Sequence, residues 1–264
     1  MLLPGDYHTH TIYSHGGGIR HGKGTVLQNV QKAKELGLKE IAITDHGFEQ
    51  MAWGLKRKEF PQLIKDCRAA AERTGINVYV GMEANLCDEN GRTDMLESDY
   101  PDFDIFLMGI HRFVKFSAFR DLWNLLIRNS IHMVLKNHVP ESLIRFNTQA
   151  LIRSIEKNPI DIITHLNFQS FCDVVEVAKA ARDYGTYIEL NSKKVHLSDE
   201  QLMKVCDTGV RFVIDSDAHS PERVGDTKLV EDMLSRVEFP FDRIDNIDGR
   251  YPHFRFKEYK EKHL

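Results

Sequence analysis

Hydrophobic and polar positions follow one repeated plan along the chain: an amphipathic helix, a glycine, and a short apolar run. In the first unit, Val26, Val30 and Ala33 recur at helical spacing, Gly37 follows, and residues 40–44 form an apolar, β-branched run. Glycine suits the left-handed backbone position that closes a helix, which gives its recurrence a physical cause. The plan predicts helices that alternate with buried strands.

The same pattern extends to the end of the chain. It predicts further helices at 60–71 before Gly75, at 174–184 before Gly185, and from the capping box of Ser198 and Gln201 to Gly209. The predicted strands lie at 5–7, 40–44, 78–80, 104–108, 161–164, 187–190 and 211–214. Alternating strands and helices predict a parallel sheet with helices outside, and a count of seven favours a distorted (β/α)7 TIM-like barrel. An open, doubly wound sheet is the alternative, although no Gly-rich phosphate loop follows the first strand.

We expect residues 1–264 to form a single barrel domain with two additions. Residues 112–158 are too long for one connecting helix, so a helical excursion of at least two helices is predicted between strands four and five. Residues 240–264 form a C-terminal extension in which basic and aromatic residues interleave after position 250. Such interleaving can bind nucleic acid, but terminal segments more often pack their aromatic side chains and solvate their charges.

Composition restricts the classes of partner. Of 264 residues, 42% are hydrophobic and 28% charged, and 35 basic residues against 39 acidic ones give a net charge of −4. This acidic balance argues against nucleic acid as the main partner. The four cysteines are scattered, and neither a secretory signal nor an apolar run of bilayer length is present, so we predict a cytoplasmic protein without a membrane segment.

Side chains that can bind metals follow six of the seven predicted strands. They are His8, His10 and His15 after the first strand, His46 after the second, Glu83 at the third, His111 at the fourth, His165 at the fifth, and Asp217 with His219 at the seventh. The carboxyl ends of barrel strands meet at one face, so these nine groups are predicted to converge there. Glu189 and Asn191, at the sixth strand, are interpreted either as groups that orient the ligands or as packing residues.

Seven imidazoles and two carboxylates in one barrel mouth would be costly to desolvate without compensation. Bound cations supply that compensation, and nitrogen and oxygen ligands without thiolates suit zinc, manganese or iron. Nine ligands exceed what one ion can use, so two or three ions are predicted. Such ions lower the pKa of bound water to ~7 and generate hydroxide, which is the chemistry that phosphate ester hydrolysis needs.

Six motifs of this sequence also occur, in the same order, in a known family. They are His8-Thr-His10-Thr11 with His15, Thr44-Asp-His46-Gly47, Gly81-Met-Glu83-Ala84, His111-Arg112, Thr164-His165 and Ser216-Asp-Ala-His219. From about Asp6 to Val224 the chain resembles the PHP (polymerase and histidinol phosphatase) family. Within it, the chain looks most like the stand-alone phosphatases, including histidinol-phosphatase-like members.

The resemblance implies a distorted (β/α)7 barrel that holds three divalent transition-metal ions. Carried over by position, one ion would be held by His8, His10, Glu83 and Asp217, the second by His15, His46 and His219, and the third by Glu83, His111 and His165. Glu83 would bridge the first and third ions.

The predicted function is hydrolysis of a small phosphate monoester, with histidinol phosphate as one candidate, by a metal-bound hydroxide. Arg112 and Arg223 are the predicted substrate-binding residues, because arginine binds phosphate as a fork. His21 and Lys23 lie in a glycine-rich stretch, 16–24, that is interpreted either as a lid or as a flexible connection. Two alternatives stay open: a nucleotide phosphatase or 3′-5′ exonuclease-like phosphodiesterase, and an amidohydrolase-type metal hydrolase.

Overall fold

A computed structural model describes residues 1–16, 18–136 and 138–264. Seven parallel strands form one sheet in the order β1-β4-β5-β6-β7-β8-β9. Their bounds are β1 Gly5–Asp6, β4 Glu40–Ile43, β5 Asn77–Asn85, β6 Ile105–Gly109, β7 Ile162–Ile163, β8 Tyr187–Asn191 and β9 Phe212–Asp215, while β2 His15–Gly16 and β3 Ile19–Arg20 pair with each other as an antiparallel hairpin.

The first and last strands of this sheet meet, so the barrel is nearly closed. A parallel bridge joins Thr9 to Ala218, and the backbone N–H of His10 donates to the carbonyl of Ala218 at 2.8 Å. This closure confirms the predicted TIM-like barrel of seven strands and rules out the open, doubly wound alternative.

Nine α-helical segments, counted within the described residues, connect the strands or extend them. They are α1 Val26–Glu35, α2 Phe60–Thr74, α3 Phe119–Asp121, α4 Asn129–Leu135, α5 Glu141–Lys157, α6 Val174–Tyr184, α7 Asp199–Asp207, α8 Lys228–Leu234 and α9 Arg255–His263. Two of the predicted closing glycines have left-handed backbones, with φ of 75° at Gly75 and 71° at Gly185. The predicted capping box is present at the start of α7, where Ser198 and Gln201 satisfy each other's backbone groups.

The barrel interior explains which side chains reach its mouth. Alternate residues of a strand share a face. One cluster of buried side chains draws on six of the seven strands or the residue next to them, and the partly buried Tyr79 of β5 packs against it; the buried members are Tyr7, Ala42, Ile105, Leu107, Ile162, Tyr187 and Val213. Glu83 has the parity of Tyr79 on β5, and Glu189 has the parity of Tyr187 on β8. Both carboxylates therefore project inward, above the apolar layers and toward the carboxyl end.

The larger hydrophobic cluster lies between the strands and the helices around them. Its members include Val30 of α1, Leu63 of α2, Val177 of α6 and Leu202 of α7, all of which are fully buried. These are the apolar stripes that the helical periodicity predicts, so the helices hold the outside of the barrel and leave its carboxyl end to the loops.

The two segments predicted as additions to the barrel, residues 112–158 and 240–264, both contain helices. Within 112–158, α3 continues through a π-helical stretch at Leu122–Arg128 into α4, and α5 follows, which agrees with the prediction of at least two helices. The extension ends in α9, whose Phe256 is buried against Tyr100 and Phe106. One aromatic side chain of this segment is thus packed into the protein, whereas Tyr251 is half exposed. Within the described residues, no helix has the length and apolar character needed to cross a membrane.

The glycine-rich stretch 16–24 contains the β2–β3 hairpin, which the sequence pattern did not predict; Gly17 lies outside the described residues. After the hairpin, the backbone N–H of His21 donates to the carbonyl of Ser14 at 3.0 Å. Lys23 then donates from its backbone to the carbonyl of His219 at 2.9 Å. This stretch is therefore attached to the mouth of the barrel by backbone hydrogen bonds.

Candidate metal centre

Glu83 occupies the centre of the barrel mouth, and its side chain is 1% exposed. Five imidazole nitrogens lie within 3.5 Å of its carboxylate oxygens: His165 Nε2 at 2.8 Å, His46 Nδ1 at 2.9 Å, His111 Nε2 at 3.1 Å, His8 Nε2 at 3.3 Å and His10 Nε2 at 3.5 Å. These rings come from the carboxyl ends of four different strands, since His8 and His10 both follow β1, and this convergence is what the positions of the strand ends predict.

Three groups of side chains have ligand atoms close enough to share an ion. Within each group, one ligand atom per residue lies within 4.8 Å of the others. The groups are His8, His10 and Asp217; His10, His46 and His219; and His46, Glu83 and His111. Because His10 and His46 each belong to two groups, the three form one continuous cluster.

Two buried ring nitrogens of this cluster lack a partner in the protein. They are Nε2 of His46 and Nδ1 of His165, which make no hydrogen bond. The Nε2 atoms of His8 and His10 lie 3.1 Å apart, and those of His21 and His219 lie 2.7 Å apart. Buried polar atoms without partners are costly, and a cation among facing imidazole nitrogens would satisfy them. The donor set therefore fits divalent transition metals.

The protonation states of the imidazoles differ within the cluster. Burial lowers the pKa of His10 well below its usual range, an effect that His219 and His46 strengthen. Burial also lowers the pKa of His46 to about 3, against the opposing charge of Glu83. These rings are therefore neutral at pH 7, which is the state that binds a metal.

The pKa of His8 is shifted in the opposite direction. Burial, the largest influence, opposes its charge, but Glu83, Glu189 and Asp217 together raise the pKa of His8 well above its usual range. The carboxylates respond in turn: although burial acts against ionisation, His111, His8 and His46 hold the pKa of Glu83 well below its usual range. For Asp217, burial likewise acts against ionisation, but His8 and Lys193 lower its pKa well below the usual range. Both Glu83 and Asp217 are therefore ionised at pH 7.

A second layer of side chains fixes the orientation of the rings. Asn85 Oδ1 lies 2.9 Å from His111 Nδ1, and Glu189 Oε1 lies 2.6 Å from His8 Nδ1. Asn191 donates to Glu189 Oε2 at 3.0 Å and to Asp217 Oδ2 at 3.2 Å. Of the two interpretations of Glu189 and Asn191, these contacts favour the one in which they orient the cluster.

The backbone is strained at two positions of the cluster. Asp217 has a φ of 47° and His165 a φ of 31°, although neither is glycine. Left-handed backbone at such residues persists only where the surroundings enforce it, and it concentrates at functional sites. At His165, one enforcing contact is the backbone N–H, which donates to Glu189 Oε2 at 2.6 Å.

The structure does not bring His15 into the cluster as the family resemblance implied. Its Nε2 lies 2.8 Å from Glu59, and the side chain is 36% exposed. His21 lies beside the cluster instead: besides its contact with His219, its ring lies 5.1 Å from that of His46. The β2–β3 hairpin explains the difference, because His15 lies within β2, whereas His21 directly follows β3 and lies at the mouth of the barrel.

Lys193 is a further residue of the mouth that the sequence pattern did not single out. Its Nζ lies 3.3 Å from Asp217 Oδ2 and 3.1 Å from His219 Nε2. The sequence signal was available, since Lys193 follows Asn191 at the end of β8. A lysine just past a strand is common, however, and the pattern alone did not distinguish it from a solvated surface residue.

The two predicted substrate-binding arginines differ in their surroundings. Arg112 Nη2 lies 3.7 Å from Met133 Sδ of α4, and its Nε is buried without a hydrogen-bond partner. Arg223 is exposed, forms an ion pair with Asp226 at 2.5 Å and donates to the carbonyl of Ser192 at 3.1 Å. The guanidinium of Arg223 therefore already has partners, whereas part of Arg112 has none.

Comparisons with known proteins agree with this geometry. The model of the PHP domain family matches residues 6–193. A probable phosphatase from Caldanaerobacter subterraneus is 30% identical over 255 residues, covering 91% of this chain and 86% of the relative. A probable phosphatase from Proteus mirabilis is 27% identical over 263 residues, covering 94% and 92%.

A solved structure with the same fold is the histidinol phosphate phosphatase from Lactococcus lactis, which is complexed with zinc, L-histidinol and phosphate. It aligns with a TM-score of 0.55 at 15% identity, covering 89% of this chain and 94% of that chain. Together with the family match, these likenesses confirm the predicted family and the prediction of a metal-dependent phosphatase. The chain belongs to the PHP domain family.

Proposed function

We propose that this PHP-domain protein hydrolyses small phosphate monoesters at a centre of three divalent metal ions. The observation that carries the proposal is the continuous cluster around Glu83, in which three overlapping groups of imidazoles and carboxylates meet at the carboxyl end of the barrel. The proposed ligands are His8, His10, Glu83 and Asp217 for one ion, His21, His46 and His219 for the second, and Glu83, His111 and His165 for the third.

This ligand set differs from the one implied by resemblance in a single position. His21 replaces His15, because only His21 lies among the rings of His46 and His219. Burial, together with the neighbouring His46 and His219, lowers the pKa of His21 to about 2. His21 is therefore neutral at pH 7 and has a lone pair available for an ion.

When bound, divalent ions polarise the phosphoryl group and supply a water nucleophile at neutral pH. The chain contributes orientation and charge. Glu83 and Asp217 supply the negative charge that retains cations, and Glu189 and Asn85 hold the rings of His8 and His111 in place. Such contacts to ligands matter because a loosely held ring weakens metal binding.

A dianionic phosphate needs positive charge beside this cluster. We assign Lys193 to that role, because its Nζ lies at the cluster and its side chain is 42% exposed, within reach of solvent and of a ligand. Arg112 stays a proposed phosphate contact, since its buried Nε lacks a partner. Arg223, in its ion pair with Asp226, would have to release that contact to bind phosphate.

Two further observations support the substrate class and the cellular location. Relatives of comparable length are named phosphatases, and the L. lactis structure of the same fold holds L-histidinol and phosphate, so histidinol phosphate is a candidate substrate. All four cysteines are free and buried, as expected in a reducing compartment, which supports a cytoplasmic location.

The test combines metal analysis with a substrate panel. Protein loaded separately with zinc, manganese or iron should contain about three ions per chain and hydrolyse at least one monoester from a panel of histidinol phosphate, nucleoside monophosphates and p-nitrophenyl phosphate. Cleavage of bis-p-nitrophenyl phosphate or oligonucleotides in preference to all monoesters would instead support a phosphodiesterase. A metal-loaded protein that cleaves an amide but no phosphate ester would overturn the proposal.

A further inference from the structure

Two aromatic side chains, Trp53 and Phe113, stand beside the metal centre on loops that the proposed reaction does not use. Trp53 lies in the loop between β4 and α2, and Phe113 lies in the loop after β6. Because β4 and β6 flank β5 in the sheet, these two loops meet above the strand that carries Glu83. We call Trp53 and Phe113 the aromatic wall.

Two hydrogen bonds join the two loops, one between backbone groups and one from a side chain to the backbone. The backbone N–H of Met51 donates to the carbonyl of Phe113 at 2.9 Å, and the side-chain amide of Gln50 donates to the carbonyl of Arg112 at 2.7 Å. The turn at Gly54 is equally confined, since a Cβ there would lie 2.4 Å from the carbonyl oxygen of Gly47. The backbones that carry the aromatic wall are therefore joined to each other.

The wall is in contact with the cluster. The indole of Trp53 stacks on the ring of His21 with centroids 4.8 Å apart and planes 18° apart, and it lies 6.3 Å from the ring of His46. Phe113 meets the indole edge-on at 5.8 Å. The aromatic surface thus begins at the imidazoles and extends outward to Phe113.

The backbone conformation and the exposure of Phe113 are both unfavourable for the stability of the fold. Its φ is 61°, a left-handed conformation that is uncommon for a bulky residue, and its side chain is 49% exposed. The indole Nε1 of Trp53 is buried without a hydrogen-bond partner. Exposure of an apolar ring to water has a cost that contact with a ligand would offset, and a strained backbone at such a residue is typical of a functional site.

We propose that the aromatic wall binds a planar ring in the alcohol part of the substrate, so that the enzyme selects phosphate monoesters whose leaving group carries an aromatic or heteroaromatic ring. This inference rests on the proposed function, because it places the phosphate of the same molecule at the metal centre. Edge-on and stacked aromatic contacts add affinity beyond the area that they bury, which would give the selectivity a physical source.

The test compares 2-phenylethyl phosphate with ethyl phosphate on the metal-loaded enzyme. Both have primary alcohol leaving groups, and they differ by the ring. Phe113→Leu keeps the apolar bulk without the ring, and it should lower kcat/KM for 2-phenylethyl phosphate by about 3- to 10-fold while leaving ethyl phosphate hydrolysis unchanged. Phe113→Tyr keeps the ring and should retain the preference.

A matched control uses another exposed phenylalanine. Phe241 is 47% exposed and follows α8, near Arg211 at the amino end of β9, so Phe241→Leu should change neither substrate. Equal losses on both esters in Phe113→Leu, or no loss on either, would overturn the substrate role of the wall while the phosphatase function stands. A wild-type enzyme with full metal content that cleaves neither ester, nor any of the panel above, overturns the proposed function and the wall's role with it.

Discussion

Two buried carboxylates at opposite ends of the barrel have opposite surroundings. Glu83, at the carboxyl end, is faced by five imidazoles and the hydroxyl of Thr164, and its pKa lies well below its usual range. Asp161, before β7 at the amino end, accepts backbone N–H groups from Phe106 at 2.9 Å and Phe256 at 2.8 Å. Burial raises the pKa of Asp161 to about 7, against the hydrogen bonds of these two amides.

The difference in hydrogen-bond partners distinguishes Asp161, which supports the fold, from Glu83, whose surroundings fit a metal centre. Asp161 connects two backbone segments, the start of β6 and the start of α9, and its partners cannot titrate. Glu83, by contrast, is surrounded mainly by imidazoles, which can titrate and can bind metal ions. Burial of an ionised group surrounded by ligand-type side chains indicates a metal or catalytic site more reliably than burial alone.

The largest expected effect comes from Glu83→Gln. Loss of the central carboxylate charge should lower the number of bound ions per chain and reduce kcat for phosphate monoesters by about 10²-fold or more, beyond the effect of losing a group that only orients a ligand. Elemental analysis and steady-state kinetics measure both. Asp161→Asn is the matched control at the other end of the barrel, and it should keep its ions. Full metal content and turnover in Glu83→Gln would end the central role of this residue.

His21→Ala and His15→Ala, compared side by side, test which histidine completes the second ion site. His21→Ala should weaken metal binding by about 10-fold or more, because it removes a ring in contact with His219, whereas His15→Ala should bind metal as the wild type does. Competition with a chelator of known affinity gives the two values. The reverse result would restore His15 to the ligand set.

Lys193→Met removes a cation from the cluster but keeps the length of the side chain. If Lys193 binds the substrate phosphate, KM for small monoesters should rise by about 10-fold while the metal content stays constant, since hydrogen bonds to charged groups are the stronger ones. Lys194→Met is the control, because its ammonium faces the ring of Phe168 at 5.6 Å instead. A loss of bound metal in Lys193→Met would point to a role in holding the cluster together.

Asp161 is expected to affect stability and not metal binding. Its folded pKa of about 7 lies above its usual value of 3.8, so its contribution to stability is fully present below about pH 4 and is lost as the pH rises through about 7. Asp161→Asn leaves one backbone N–H without an acceptor and should cost about 1–3 kcal/mol at pH 5. Because asparagine does not titrate, this cost should shrink at pH 8.

Urea unfolding of both proteins at equal metal loading, at pH 5 and pH 8, measures the two differences in free energy of unfolding. An equal cost of Asp161→Asn at both pH values, or a cost that grows toward pH 8, would contradict a raised pKa of Asp161.

Much of the fold was predictable because its signals are local. Apolar runs that follow helix-closing glycines located four of the seven barrel strands, and Gly75 and Gly185 have the left-handed backbone that their positions predicted. Eight of the nine predicted ligands converge for the same reason. The carboxyl ends of parallel strands must meet once the strands form a barrel, so strand position alone determines where Glu83 or His165 lies.

The positions of residues on the loops could not be predicted in this way. The choice between His15 and His21 depends on the β2–β3 hairpin, whose two residue pairs leave no periodic signal in the sequence. The placement of Trp53 against Phe113 depends on hydrogen bonds between segments about 60 residues apart, such as the one from Gln50 to Arg112. Likewise, the pKa of Glu83 depends on which rings surround it.

The amino-acid sequence by itself therefore determined the barrel and the chemical character of its mouth, because periodicity and strand ends are properties of short stretches of chain. The tertiary structure alone decided which histidine joins the second group, which cation stands beside it and which aromatic rings form the wall. Those decisions arise from contacts between loops that are distant in sequence, and no local pattern encodes such contacts.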